Sequence, residues 1–323
     1  MIKSFLIIQT AFIGDVVLAT ALVEKLAKFF PNAKIDFLVR KGNESLLNNN
    51  PHLNEVLVWD KKQNKYSNLF NLASQVRKNK YDVVINLQRF ASTGFLAGFS
   101  KASQIIGFKK NPLSFLFTKS FKHTIGDGKH EVERNLKLIE HLTNNEIEKP
   151  NLYPTKEDFE KVKTFKSEKY ITLSPASVWF TKALPMEKWI ELINLKVDFK
   201  IYLLGGPSDK NYLDEIKSKS IHPNLENLAG KLSFLQSTAL MKDAEMNYVN
   251  DSAPLHFASA INAPTTAFFC STTPKFGFGP LSSNNKIVET KESLSCKPCG
   301  LHGKKECPRG HFKCGKNIDV SDI

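Results

Sequence analysis

Three junctions in the chain combine residue types that can act on a phosphorylated substrate. The sharpest reads YVNDSAPLHFASAINAPTTAFF: Asn250 and Asp251 end an apolar run, Ser252 stands ahead of a helix-forming stretch, and His256 lies on that stretch beyond them. At helical pitch Asp251 and His256 are separated by about one and a third turns. A helix start exposes free amides and the positive end of the helix dipole, so it suits a diphosphate, with Asp251, Ser252 and His256 able to hydrogen-bond phosphate or ribose. A local reading stands beside this one, in which Asp251 and Ser252 cap the helix and His256 is a satisfied buried polar group.

The second junction, LSPASVWFTKALPMEKW, runs from a strand through a polar and aromatic loop into a helix near Pro185 or Met186. There Lys182 can meet a phosphate as a point charge and Ser177 as a hydroxyl donor, although a lysine ahead of a helix is commonly just solvated. The third, IIQTAFIGDVVLATAL, places Gly14 and Asp15 at a helix start. Asp15 is either a carboxylate at the mouth of a site or a first-turn acid favoured by the helix dipole. A nicotinamide-binding pattern is missing: there is no GxGxxG, and the run KIDFLVR closes on Arg40 where an acidic residue would hold a ribose.

A fourth cluster lies near the C-terminus. Cys296, Cys299, Cys307 and Cys314 follow a C-x2-C-x7-C-x6-C spacing with His302 and His311 close by. In a reducing compartment such a set reads as a structural four-thiolate zinc or iron site, or as reduced thiols packing a loop. Cys270, at the end of an apolar strand, reads as core.

These junctions require an α/β scaffold. Strand-like runs at 4–9, 34–39, 54–59, 81–87 and 103–108 are separated by amphipathic segments such as 16–30 and 66–79. Continuous apolar strands alternating with helices indicate a parallel sheet covered on both faces. A helix is expected from His130 to about Leu142, followed by a polar, proline-containing stretch suited to an interdomain linker. The pattern restarts at 170–175, 200–206, 245–251 and 265–269, with helices from about Met186, Asp209, Phe234 and Ala253. The expectation is two Rossmann-like domains, 1–155 and 156–323, facing a central cleft, with ligands at the carboxyl ends of the strands.

The 323 residues carry a formal charge of +13, and the first 150 hold 22 Lys and Arg against 13 Asp and Glu. That surface suits nucleic acid, anionic lipid or phosphorylated substrates. Nucleic acid is disfavoured, because no recognised motif or aromatic-interleaved basic stripe accompanies the charge. The short apolar start and the lack of any long apolar run point to a cytoplasmic protein.

Taken together, GDVVLATAL (14–22), HEVERNLKLI (130–139), PASVWFTKALP (175–185), NLAGKLS (227–233) and NDSAPLHFASAINAPTTAFF (250–269) resemble, in order, the blocks of glycosyltransferase family 9, the ADP-heptose:lipopolysaccharide heptosyltransferases. The resemblance implies a GT-B fold, inversion at the anomeric carbon and no metal or other cofactor in catalysis. It makes Asp15 the general base, Ser177 and Lys182 diphosphate ligands, Asp251, Ser252 and His256 the donor-binding helix start, and His130 and Arg134 an acceptor-side HxxxR element. Similar cysteine tails occur in the family, and a related group of protein heptosyltransferases carries a cysteine metal finger. Two positions depart from the pattern: Ala253 and Pro254 stand where a glycine usually follows NDS, and Val178, Trp179 and Phe180 make the lysine loop more apolar. The implied partners are an ADP-sugar donor and an anionic lipopolysaccharide core acceptor, with peripheral contact at the inner membrane. The alternatives are a transferase of the same fold using another nucleotide sugar or a protein hydroxyl, and a non-catalytic nucleotide-sugar binder.

Overall fold

The structure, a computed structural model, describes residues 2–321 and 323. Its contacts separate into two units, the first running to Ile125 with Lys129–Tyr153 and the second formed by Gly126–Gly128 and Pro154–Ile323.

The first unit is built on a six-stranded parallel sheet of order β3-β2-β1-β4-β5-β6. Its strands are β1 (Ser4–Ile8), β2 (Lys34–Arg40), β3 (Glu55–Trp59), β4 (Val83–Asn86), β5 (Gln104–Phe108) and β6 (Lys119–Phe121). The central strands are apolar on both faces because helices cover both; Phe5 to Ile8 of β1 are 0% exposed. The helices are α1 (Ile13–Phe29), α2 (Lys65–Lys78), α3 (Ala91–Phe99) and α4 (Glu131–Lys137). Helix α1 stops where Phe30, ahead of Pro31, leaves the helical region at φ −132°, as expected of a residue preceding proline. Helix α4 is shorter than its apolar pattern suggests. Beyond Lys137 the chain tightens into three-residue turns, with amides of Leu138, Ile139 and Leu142 bonding to carbonyls of Asn135, Leu136 and Ile139.

The second unit repeats the scheme with order β12-β11-β10-β7-β8-β9. Its strands are β7 (Tyr170–Ser174), β8 (Lys200–Leu203), β9 (Leu225–Asn227), β10 (Asn247–Asn250), β11 (Thr265–Phe268) and β12 (Asn285–Val288). Its helices are α5 (Lys156–Val162), α6 (Met186–Leu195), α7 (Lys210–Lys219), α8 (Phe234–Lys242), α9 (Ala253–Ala260) and the short α10 (Lys313–Lys316). Trp189 of α6, wholly buried, meets Phe268 of β11 edge-on with ring centroids 5.2 Å apart. Helix α5 begins inside the stretch expected to be linker and runs past it. Its start is a reciprocal cap in which Thr155 Oγ1 accepts from Asp158 N at 3.1 Å and Asp158 Oδ2 accepts from Thr155 N at 2.9 Å.

In each sheet the strand order reverses once, between β1 and β4 and between β7 and β10. Loops leaving the two strands at such a reversal diverge to opposite faces and open a crevice at the carboxyl ends, which is where open α/β sheets hold ligands. Asp15 lies in the first turn of the helix after β1 and Arg89 in the loop after β4; the loops after β7 and β10 hold Lys182 and Asp251.

Candidate functional site

In the second unit the two loops at the reversal are tied together by one buried side chain. Asn250, the last residue of β10 and 0% exposed, accepts from Leu184 N at 2.9 Å and donates to Pro175 O at 2.8 Å and Ser174 O at 3.4 Å. That grip fixes both ends of the loop carrying Ser177 and Lys182. The Lys182 ammonium then reaches across to Asp251 Oδ2 at 2.7 Å, and both side chains are largely buried. The same oxygen accepts from Thr272 Oγ1 at 2.6 Å. A cation is thus held by a carboxylate that a hydroxyl steadies, next to the start of α9, a geometry that preorganises positive charge for an anionic group.

The sequence-predicted residues distribute unevenly around this node. Lys182 and Asp251 are brought together. Ser177 is half-buried, and its hydroxyl accepts from Trp179 N at 3.4 Å within the loop. Ser252 occupies the N-cap position of α9 without capping: its hydroxyl donates to Asn250 O at 3.4 Å, and no helix amide bonds to it. The expected side-chain cap is therefore corrected, and Pro254 in the first turn removes one further amide donor from this helix start. His256 is buried on α9. Thr272 was not foreseen, because a threonine just past an apolar strand has no signature of its own; its place after β11, beside β10, is what identifies it.

In the first unit, Asp15 lies in the first turn of α1 and accepts from Phe12 N at 3.2 Å through Oδ2. It therefore does cap its helix, as the local reading has it. Cations collect around this junction. The Arg40 guanidinium lies 5.0 Å over the Phe12 ring. Lys61, following β3, donates to Thr10 O at 3.0 Å and Thr10 Oγ1 at 2.9 Å and stands 4.6 Å over Trp59. Burial, reinforced by the charges of Arg40 and Lys65, pushes the Lys61 ammonium down to about 8. Lys110, following β5, is also pushed down by burial, against the pull of the Glu131 and Asp15 carboxylates.

His130 is the N-cap of α4, its Nδ1 accepting from Val132 N at 3.2 Å while its own amide donates to Glu133 Oε1 at 2.8 Å. Arg134 is buried and donates from Nη1 to Glu131 Oε2 at 3.1 Å. Glu131 also receives His123 Nε2 at 2.9 and 3.0 Å on its two oxygens. Burial pushes the Glu131 carboxyl up, but His123, Lys110 and Arg134 outweigh it and hold the group below the usual glutamate range. Lys61, Lys110 and the His123–Glu131 pair escaped sequence reasoning; the rule that sites gather where parallel strands end points to the two lysines.

The cysteine tail departs from expectation. Among the described residues no three His, Cys, Asp or Glu side chains converge as a metal-binding group. Cys296 Sγ faces His311 Nε2 at 3.9 Å, while Cys314 is buried in the core of the second unit with Cys307 packed against it. Burial pushes the Cys314 thiol up to about 11 against the pull of Lys297, and Cys307, Cys296 and Cys299 add to the rise. As placed, Cys296, Cys299, Cys307 and Cys314 do not form the four-thiolate zinc or iron site that their spacing suggests. Cys270 is core, as expected.

Residues 69–309 match the model of the family described as glycosyltransferase family 9 (heptosyltransferase). The chain is 29% identical over 291 residues to lipopolysaccharide heptosyltransferase 3 of Escherichia coli, covering 84% of this chain and 85% of that protein. Among solved structures it is similar to a glycosyl transferase family 9 protein from Veillonella parvula, with TM-score 0.81 and 22% identity over 89% of this chain and 86% of the other. It is also similar to the E. coli ADP-heptose lipopolysaccharide heptosyltransferase II, with TM-score 0.79 and 20% identity over 92% and 96% of the two chains. The two parallel sheets and these likenesses make the fold GT-B.

Proposed function

The chain belongs to glycosyltransferase family 9, and we propose that it transfers a heptose, with inversion, from an ADP-linked donor to an anionic lipopolysaccharide core. The observation carrying this reading is the Lys182–Asp251–Thr272 node at the strand reversal of the second unit. It offers a fixed cation to the diphosphate, with Ser177, Ser252 and His256 nearby in sequence as further polar contacts.

In the proposed step the acceptor hydroxyl oxygen attacks the anomeric carbon while its proton passes to the Asp15 carboxylate. The bond from that carbon to the diphosphate oxygen breaks, and its electron pair leaves with ADP, whose added charge Lys182 stabilises. The Asp15 hydrogen bond from Phe12 N consumes one oxygen direction and leaves the carboxylate oriented at the helix start. Arg40, Lys61 and Lys110, with His130 and Arg134, would meet the anionic acceptor.

No described helix is long and apolar enough to cross a membrane. Peripheral contact with an anionic leaflet is supported by an aromatic group on α2 and α3, where the exposed Phe70 and Phe99 flank the half-buried Phe95, Phe70 meeting it edge-on at 5.9 Å and Phe99 stacking on it at 5.5 Å, and Arg77 covers Phe99 at 4.8 Å. Aromatic and basic side chains side by side suit a lipid headgroup layer.

The test is transfer from ADP-heptose to a heptose-free lipopolysaccharide core, with UDP- and GDP-sugars and a non-catalytic outcome in the same screen. Asp15→Ala is expected to abolish product while leaving ADP binding in place, with stability lowered by no more than the loss of one helix-start hydrogen bond, about 1 kcal/mol. Full transfer by that variant removes Asp15 as the base, and failure to bind any nucleoside diphosphate favours a non-catalytic protein.

A further inference from the structure

The cysteine-rich tail is built into the wall of the lysine loop. Lys297 Nζ donates to Phe269 O at 2.7 Å and pairs with Glu289 at 2.8 Å, which fastens the tail beyond the end of β11. Cys299 N then donates to Ser271 O at 2.7 Å. Five residues on, Lys304 closes a two-way clasp on Thr181: Thr181 N donates to Lys304 O at 3.1 Å, and Lys304 N donates to Thr181 Oγ1 at 2.8 Å. Thr181, only 1% exposed, also accepts from Ser271 Oγ at 3.0 Å on its hydroxyl and from Ser271 N at 3.1 Å on its carbonyl. Further along, the Phe312 ring lies 4.9 Å from that of Phe180. Residues on both sides of Lys182 are therefore gripped, Thr181 by the tail and Leu184 by Asn250.

The approach is closest at Gly303. It has φ +71°, and a Cβ placed on it would fall 2.7 Å from Lys182 Cγ, 3.1 Å from Lys182 Cδ and 3.0 Å from Trp179 Cβ. Real Cβ atoms do not come so near, so the tail backbone lies against the lysine stem with no room for a side chain, and the stem can leave its path to Asp251 only away from the tail. We propose that Gly303 and the Thr181–Lys304 clasp position Lys182 for the donor diphosphate, making the tail part of the donor site. This rests on Lys182 being the diphosphate ligand.

The test uses the full chain and steady-state kinetics with ADP-heptose varied against saturating acceptor. Gly303→Ala is expected to lower donor kcat/KM by about tenfold to a hundredfold, since displacements near 1 Å at a binding group have effects of that size, with the acceptor KM unchanged. Gly300→Ala is the control: Gly300 also has a left-handed φ, +93°, but nothing lies within 4 Å of a Cβ there, so it carries at least as much backbone strain as Gly303→Ala without pressing on Lys182. In a Lys182→Ala background, Gly303→Ala should add less than a twofold effect. Thr181→Val, which keeps the shape and removes the hydroxyl, should lower donor kcat/KM in the same manner, and Thr181→Ser should restore it. Equal losses in Gly300→Ala and Gly303→Ala, or additive effects with Lys182→Ala, would overturn the proposal, because the tail would then act through general integrity. If Lys182→Ala itself leaves donor kinetics unchanged, the diphosphate assignment fails and the tail proposal fails with it.

Discussion

Asn250→Ala tests the assembly of the donor site without touching a residue assigned to the substrate. Asn250 is wholly buried, and its side chain serves Leu184 N at 2.9 Å and Pro175 O at 2.8 Å. Truncation leaves an amide and a carbonyl without these partners in a site shielded from water. Each orphaned buried group costs about 1–3 kcal/mol, so the pair costs about 2–6 kcal/mol. That is a large share of a domain stability of roughly 5–15 kcal/mol. Asn250→Asp should be no milder: it keeps an acceptor for Leu184 N, loses the donor to Pro175 O, and adds a carboxylate one residue from Asp251. Because the chain has two units, a single global unfolding energy is a poor measure; amide exchange resolves the effect locally. The Leu184 amide in Asn250→Ala should lose most of its protection, amides of β1 and β2 should keep theirs, and ADP affinity by calorimetry should fall. Unchanged protection at Leu184 with wild-type ADP affinity would refute the claim that this side chain holds the loop.

Three further outcomes follow from the site geometry. Thr272→Val removes one of the two donors to Asp251 Oδ2; the carboxylate then holds Lys182 harder, and ADP affinity should fall about two- to tenfold, the range of one net hydrogen bond, with an unchanged Kd counting against it. Lys61, pushed by burial to about 8, should show a methyl-lysine NMR resonance titrating there; since its folded pKa lies below the unfolded 10.5, stability should rise with pH between those values, and Lys61→Met should flatten that rise. Glu131 is held below the ordinary glutamate range against its burial, so its contribution to stability is fully present above the ordinary glutamate value of 4.5 and is lost as pH falls through its folded value. Glu131→Gln should destabilise the first unit by about 3–5 kcal/mol at neutral pH and remove this part of the acid response, as read by urea midpoints from pH 3 to 7.

Which elements could be read in advance follows from burial. Central strands such as β1 and β10 are covered on both faces and so read as unbroken apolar runs, whereas β6 and β12 at the sheet edges are largely exposed and carry no such signal. Helix α3, ASTGFLAGF, was missed because its two glycines weaken helical propensity; Gly94 is there for close packing, since a Cβ would fall 2.3 Å from Asn111 Oδ1. Asp251 and Lys182 were legible as residue types at strand ends, and the structure adds that they meet. Ser252 was misread because a serine ahead of a helix implies a cap, while the extended backbone here, φ −153° and ψ −179°, accompanies a hydroxyl bonded to Asn250 O.

The tail shows why cysteine spacing alone misleads. Four thiols close in sequence imply convergence on an ion only if the backbone turns them inward; this segment has left-handed glycines at 300, 303 and 310, and Gly303 lies against the lysine stem. Cys314 is drawn into the apolar core by Phe312 and Ile318, its neighbours in the same cluster. Spacing cannot distinguish these outcomes, because both need short loops with glycine. What separates them is the partner of the backbone: Cys299 and Lys304 spend their amides on Ser271 and Thr181, and a segment so bonded is held by the sheet that carries the site.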